Sequence, residues 1–156
     1  MSTIDSAIKG QDREVVATVL QAALVDLVGL SLQAKQAHWN VTGRTFRSVH
    51  LQLDDVVAIA REHADIVAER AAALGISPDG RIKTLADSLH TPQLEPGYLT
   101  DEVVVSEVTD LLLAIVNRFR EYVRKTEEPD PVTQDLLIAT TQQLEQQHWM
   151  FQAMTR

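Results

Sequence analysis

Apolar residues recur at steps of three and four along most of this chain, and the interruptions fall in a few places. No proline precedes Pro78, and the five prolines are Pro78, Pro92, Pro96, Pro129 and Pro131. Two long uninterrupted segments and two later ones therefore read as helices. The first spans about 11–40 and is apolar on more than one face: Val16, Leu20, Leu24 and Leu27 on one, Val15, Val19 and Leu30 on others. A helix apolar most of the way round is normally buried between neighbours. The second spans about 46–74, with Thr45 as its expected N-cap, Gly75 as a left-handed stop and Pro78 beyond. Its stripe is Phe46, Val49, Leu53, Val56, Val57, Ala60, Ala64, Val67, Ala71 and Leu74.

A turn-rich crossover follows, with a short helix expected over about 82–89. The third long helix covers about 101–126, opening with Asp101 and Glu102 in the first turn, where they complement the helix dipole. It turns Val104, Val108, Leu111, Leu112, Ile115, Phe119 and Tyr122 inward. The fourth covers about 131–154, with Asp130 as its cap and Pro131 at its first position. Four long helices with one long connection between the second and third predict an all-α fold. It is a four-helix bundle of ferritin-like connectivity in a single domain over residues 1–156.

Composition narrows the function. At 156 residues and 45% hydrophobic types the chain can bury a core unaided. The absence of Cys removes disulfides, thiolate metal sites and a cysteine nucleophile. A formal charge of −8 repels phosphate backbones and attracts cations. Residues 1–13 balance Lys9 and Arg13 against Asp5 and Asp12, and the chain stops at Arg156 without a basic tail, so nucleic acid is not an expected partner. No apolar run approaches the roughly 18 residues of a membrane span, and Met1–Ala7 does not resemble a secretory leader. A cytoplasmic protein without a membrane partner is the expectation.

The chemistry lies on the second helix, beside its core stripe. With Leu53 as zero, 100° per residue puts His50 at about 60°, Asp54 at about 100°, Asp65 at about 120° and Glu69 at about 160°. The plain alternative is a solvated charged flank. The two i, i+4 pairs lie 15 residues apart, roughly 22 Å of helix, far beyond metal–ligand bonds near 2 Å. One copy cannot gather both pairs around one ion. The index sums of 50 with 69 and of 54 with 65 are equal, however. An antiparallel second copy about a two-fold axis near Ile59 and Ala60 would set His50 opposite Glu69 and Asp54 opposite Asp65. Ala58, on the same flank, is small enough for close approach. His38, eleven residues after Leu27, lies near the inner seam of the first helix, where it could equally be a hydrogen-bonded core histidine. Carboxylates and imidazoles without sulfur suit iron(II) or manganese and also accept zinc.

These residues carry a resemblance. Lys35-Gln-Ala-His38-Trp39-Asn40-Val-Thr-Gly43, then Phe46, His50, Asp54, Asp65, Glu69-Arg70 and Leu74-Gly75, is similar to the signature of the Dps family. These are mini-ferritins first described as DNA-binding proteins from starved cells. The resemblance extends to the crossover helix and to Trp149-Met150 near the C-terminus. It implies a hollow homo-oligomer of twelve subunits with iron-oxidising centres at two-fold interfaces. His38, His50 and Asp54 would come from one subunit, and Asp65 and Glu69 from its neighbour. It implies a ferroxidase that oxidises Fe(II) with hydrogen peroxide, stores the Fe(III) product as mineral and protects against oxidative stress. Trp39 corresponds to the family's tryptophan beside the iron centre, with interior packing as its alternative role. Asp130 and Asp135 are candidates for lining acidic three-fold pores; a simple cap and a solvated position are their plain readings.

Three further readings stand beside this one. Glu145 and His148 form a Glu-x-x-His pair of the kind used inside di-iron bundles. The matching pair on the second helix is absent, since residues 60–63 read Ala-Arg-Glu-His, so neither these two nor His63 or His90 is expected to bind metal. A metal-activated hydrolase could use the same His/Asp/Glu constellation, but nothing in the sequence describes its substrate pocket. A purely structural bundle leaves five spaced ligand types without a purpose.

Overall fold

The computed structural model describes residues 4–155. The expectations resting on Met1–Thr3 and Arg156 lie outside the described residues. Helices α1 (Gly10–Asn40), α2 (Phe46–Ala73), α4 (Asp101–Thr126) and α5 (Pro131–Ala153) form the bundle, and α3 (Ile82–Ser88) lies in the crossover. Each boundary falls within one residue of that read from the pattern.

The core runs the length of α1. Val16, Leu20, Leu27 and Leu30 meet Leu53, Val56 and Val67 of α2, Leu111, Leu112, Ile115 and Phe119 of α4, and Leu137, Leu144 and Phe151 of α5, all essentially inaccessible to water. Burying side chains of this size contributes about 1.5–3 kcal/mol each relative to leaving them exposed, and this outweighs helix propensity in holding the bundle together.

Helix α1 also corrects an expectation. It holds an 18-residue stretch long and apolar enough to cross a bilayer by length and composition, although small and polar residues break it into short runs. In the fold 61% of that stretch is buried in the chain. Its apolar character serves the core, as an all-round apolar helix in a bundle should.

The Thr100 hydroxyl caps α4 by accepting from the Val103 amide, whereas both ends of α2 are tied to distant side chains. Gly75 adopts φ +67° and ends α2 as expected. Arg13 then donates to the carbonyls of Leu74 (3.3 Å) and Gly75 (2.7 Å), using acceptors the helix leaves open. Thr45 occupies the N-cap of α2 but makes no capping bond. Its hydroxyl and its amide both donate to Asp101, the first residue of α4. Gly43, at φ +130°, permits this, because a Cβ there would collide with the Asp101 carboxylate. Beside this junction Val41–Thr42 pairs in parallel with Leu99–Thr100, giving strands β1 and β2. The all-α expectation misses them because two residues carry no periodicity. Phe46, expected in the core, stands 43% exposed, one turn short of where α2 enters the bundle.

Candidate metal half-sites on one helix

The short turn 41–45 sends the chain back so that the end of α1 lies against the start of α2, and this brings His38 and His50 together. Their rings stack at 3.6 Å between centroids, 21° from parallel. The His38 Nδ1 lies 2.9 Å from the carbonyl oxygen of His50, and the His50 Nδ1 lies 2.9 Å from the carbonyl oxygen of His38. A carbonyl only accepts, so each Nδ1 must carry the proton. In the neutral rings each Nε2 is then left with its lone pair, the form in which imidazole binds a metal. The His38 carbonyl belongs to the last turn of α1, so His50 also satisfies an acceptor the helix cannot.

Asp54, one turn further along α2, joins them. Its Oδ1 lies 3.4 Å from the His38 Nδ1 and accepts from the Lys35 ammonium at 2.5 Å. That hydrogen bond, more than the nearby histidines, holds the Asp54 carboxyl below its ordinary range. Lys35 stands in the sequence motif with no role of its own there. Its position three residues before His38, on the same helical face, is the signal that points to it.

Asp65 and Glu69 do not join this cluster. Helix α2 is continuous from Phe46 to Ala73, so the two pairs stay roughly 22 Å apart. Asp65, Glu69 and Ala58 are all exposed on the single chain. Among the described residues no three His, Asp or Glu side chains come together to hold a metal ion. The chain thus presents two separated groups of candidate ligands, His50 and Asp54 of α2 beside His38 of α1, and Asp65 with Glu69 farther along α2.

Trp39 is 66% exposed, so interior packing within the chain is not its role. Asp130 is buried, accepting from Arg70 at 2.7 Å and from the Thr133 hydroxyl, while Asp135 is exposed. The Glu145 carboxylate pairs with Arg120 across to α4 and does not meet His148 in a shared cation cage. His63 is buried against α5. Thr140 directs its hydroxyl to the Leu136 carbonyl, so the His63 Nδ1–H donates to the Thr140 oxygen at 2.9 Å.

Burial pushes the His63 imidazole below its ordinary value of 6.5. The unfolded chain therefore binds a proton that the native state refuses. The stability this residue supports is complete above about pH 6.5 and is lost as pH falls from there through the lowered folded value. The melting-temperature difference between the wild type and His63→Gln should accordingly shift against the wild type between pH 7.5 and pH 5. A difference that stays constant would contradict a neutral, buried His63.

The family described as ferritin-like domain matches residues 17–156. The chain is 35% identical over 134 residues to DNA protection during starvation protein 2 of Deinococcus radiodurans, covering 86% of this chain but only 56% of that protein's length. It is 34% identical over 138 residues to the DNA protection during starvation protein of Mycolicibacterium smegmatis, covering 88% of this chain and 75% of the relative. The solved structure of Dps from Microbacterium arborescens in a high iron form superposes with a TM-score of 0.89 at 28% identity, over 96% of this chain and 97% of that one.

Proposed function

This chain belongs to the Dps family of ferritin-like proteins, and from that premise we propose that it is a ferroxidase and iron store whose catalytic sites are each completed by two subunits. The observation that carries the proposal is the division of ligands along α2. One end gathers two imidazoles, each with its Nδ1 engaged, close to the Asp54 carboxylate, and the other offers two exposed carboxylates on the same flank. Antiparallel pairing about the middle of α2 gives two equivalent N/O sites per pair of chains, each with His38, His50 and Asp54 from one and Asp65 and Glu69 from the other.

Fe(II) is the substrate. The negative charge of the chain raises its local concentration, and Asp135, exposed near the start of α5, lines the proposed path inward. Asp130, buried and engaged by Arg70 and Thr133, fixes the start of α5 beside that path rather than lining it. Carboxylate ligands favour Fe(III) over Fe(II), while the neutral imidazoles bind without adding charge. Two Fe(II) each give one electron to hydrogen peroxide, which takes up two protons and leaves as two waters. No one-electron product of peroxide is released, and Fe(III) passes to a mineral inside a shell of about twelve chains. Trp39, exposed in the single chain and next in sequence to His38, is the proposed trap for stray oxidising equivalents. Where the relatives' names speak of protecting DNA, the proposed route here is removal of Fe(II) and peroxide in the cytoplasm.

The test is to add Fe(II) and peroxide to the assembled protein and count both. Two Fe(II) should be consumed per peroxide with spin traps silent, in particles about twelve times the 17.3 kDa chain. One Fe(II) per peroxide with trapped hydroxyl radical would refute the proposal. Anaerobic cleavage of an ester or amide by the zinc-loaded protein, without ferroxidation, would favour a hydrolase instead.

A further inference from the structure

We infer that Lys35 is the built-in counter-cation of the half-site, holding the place at Asp54 that a metal ion must win by displacement. The inference rests on the shared-site reading and adds to it a residue that sets affinity. The Lys35 ammonium lies 2.5 Å from Asp54 Oδ1, the oxygen that also lies 3.4 Å from His38 Nδ1. Lys35 and Asp54 stand on different helices, 19 residues apart in sequence, so this pair is a product of the fold and not of local helix geometry. The lysine side chain is 25% exposed, largely held against α2, whereas Asp54 remains 44% exposed on the flank that a second copy would cover.

A divalent ion bound through Asp54 Oδ1 at about 2.0–2.2 Å competes with the ammonium for the negative charge of that oxygen. Both are cations, and they would repel at close range in a site closing away from water. The ion therefore enters as the ammonium swings out on its flexible stem. Before it does, the lysine has a second effect. Antiparallel pairing brings Asp54 towards Asp65 and Glu69 of the neighbouring copy, and three carboxylates without a cation oppose one another. Lys35 offsets one of those charges, so the two-fold contact closes before metal arrives.

The experiment titrates the assembled protein with Zn(II), which binds without being oxidised, by calorimetry against a competing chelator. Lys35→Met keeps the apolar stem and removes the charge. It should bind Zn(II) about ten-fold tighter than the wild type, a moderate figure because solvent reaches both partners. The gain should vanish when Asp54→Ala is already present. Affinity equal to or weaker than that of the wild type would overturn the inference, as would a gain that survives loss of Asp54. Lys35→Arg retains a cation and should bind no tighter than the wild type; tighter binding by this variant would also overturn it. Light scattering with and without chelator gives a readout that does not depend on activity: the Lys35→Met assembly should weaken more than the wild type when metal is withdrawn. A weakening no greater than that of the wild type would sink the counter-cation role. Zn(II) binding untouched by Asp54→Ala and by Glu69→Ala separately would refute the shared site itself, whatever Lys35 does.

Discussion

Mixed assemblies of Asp54→Ala and Glu69→Ala chains should regain about a quarter of wild-type peroxide-driven Fe(II) oxidation, although each variant alone is nearly inactive. In a homogeneous Asp54→Ala assembly every site lacks its aspartate, and in a Glu69→Ala assembly every site lacks its glutamate. A pair holding one chain of each kind has one doubly damaged site and one intact site, and random mixing makes about half of all pairs mixed. The same logic makes His50→Ala or Asp65→Ala slow the reaction strongly, by roughly 100-fold or more, since even residues that only support metal ligands are worth about 10–100-fold. Folding should survive in each case, because His50 and Asp65 lie outside the apolar core. Stopped-flow absorbance of the Fe(III) product in re-assembled, mass-verified mixtures provides the measurement. A mixture no more active than its components would remove the case for shared sites. Unchanged rates in His50→Ala would remove the ligand assignment.

The largest effect on stability should come from Asp26→Ala, which destabilises the fold by about 3 kcal/mol or more. Asp26 is completely buried in α1, and its Oδ2 accepts from the Arg118 Nε and from the Tyr122 hydroxyl, each at 2.8 Å. The Arg118 guanidinium also lies 5.8 Å from the centre of the Tyr122 ring, and Tyr122 packs edge-on against Phe119. Burial, and then the neighbouring Asp26 charge, push the Tyr122 hydroxyl well above its ordinary range, so it stays protonated as the donor. Truncating Asp26 strips both donors of their acceptor and leaves a gap in the middle of the longest core helix. Arg118 is about a third exposed and can regain water, which keeps the loss near the lower end. For a chain of this size the melting temperature should drop by about 6–12 °C at fixed protein concentration. Replacing all three partners together by apolar residues of similar shape should recover most of it. A melting temperature unchanged in Asp26→Ala would mean that the triad carries no stability.

This triad also marks a limit of sequence reasoning. The periodicity of α1 places Asp26 among buried positions, yet its partners are 92 and 96 residues away, and no local pattern announces them. Phe46 shows the opposite error. Its spacing matches the stripe of α2, but the stripe continues past the point where the helix meets its neighbours. Thr45 fits the cap preference, and its hydroxyl is drawn instead to Asp101 from the far side of the crossover. At Asp26 and Thr45 contacts between distant segments decide the outcome, and at Thr45 they outweigh a local cap preference worth about 1 kcal/mol.

The helices themselves were legible because an apolar repeat of 3.6 residues sustained over 23 to 31 residues is satisfied by almost no backbone but a helix. So was the flank bearing His50, Asp54, Asp65 and Glu69, since a straight helix fixes angle and separation from residue number alone. The spacing of these four candidate ligands therefore prevents a single chain from gathering both pairs around one ion. Tertiary structure alone decided how the imidazoles are held and what stands beside them. Folding α1 back on α2 puts each histidine ring on the other's carbonyl, which selects the tautomer, and brings Lys35 to Asp54. Those contacts depend on the path of a five-residue turn, and side-chain periodicity says nothing about where a turn sends the next helix.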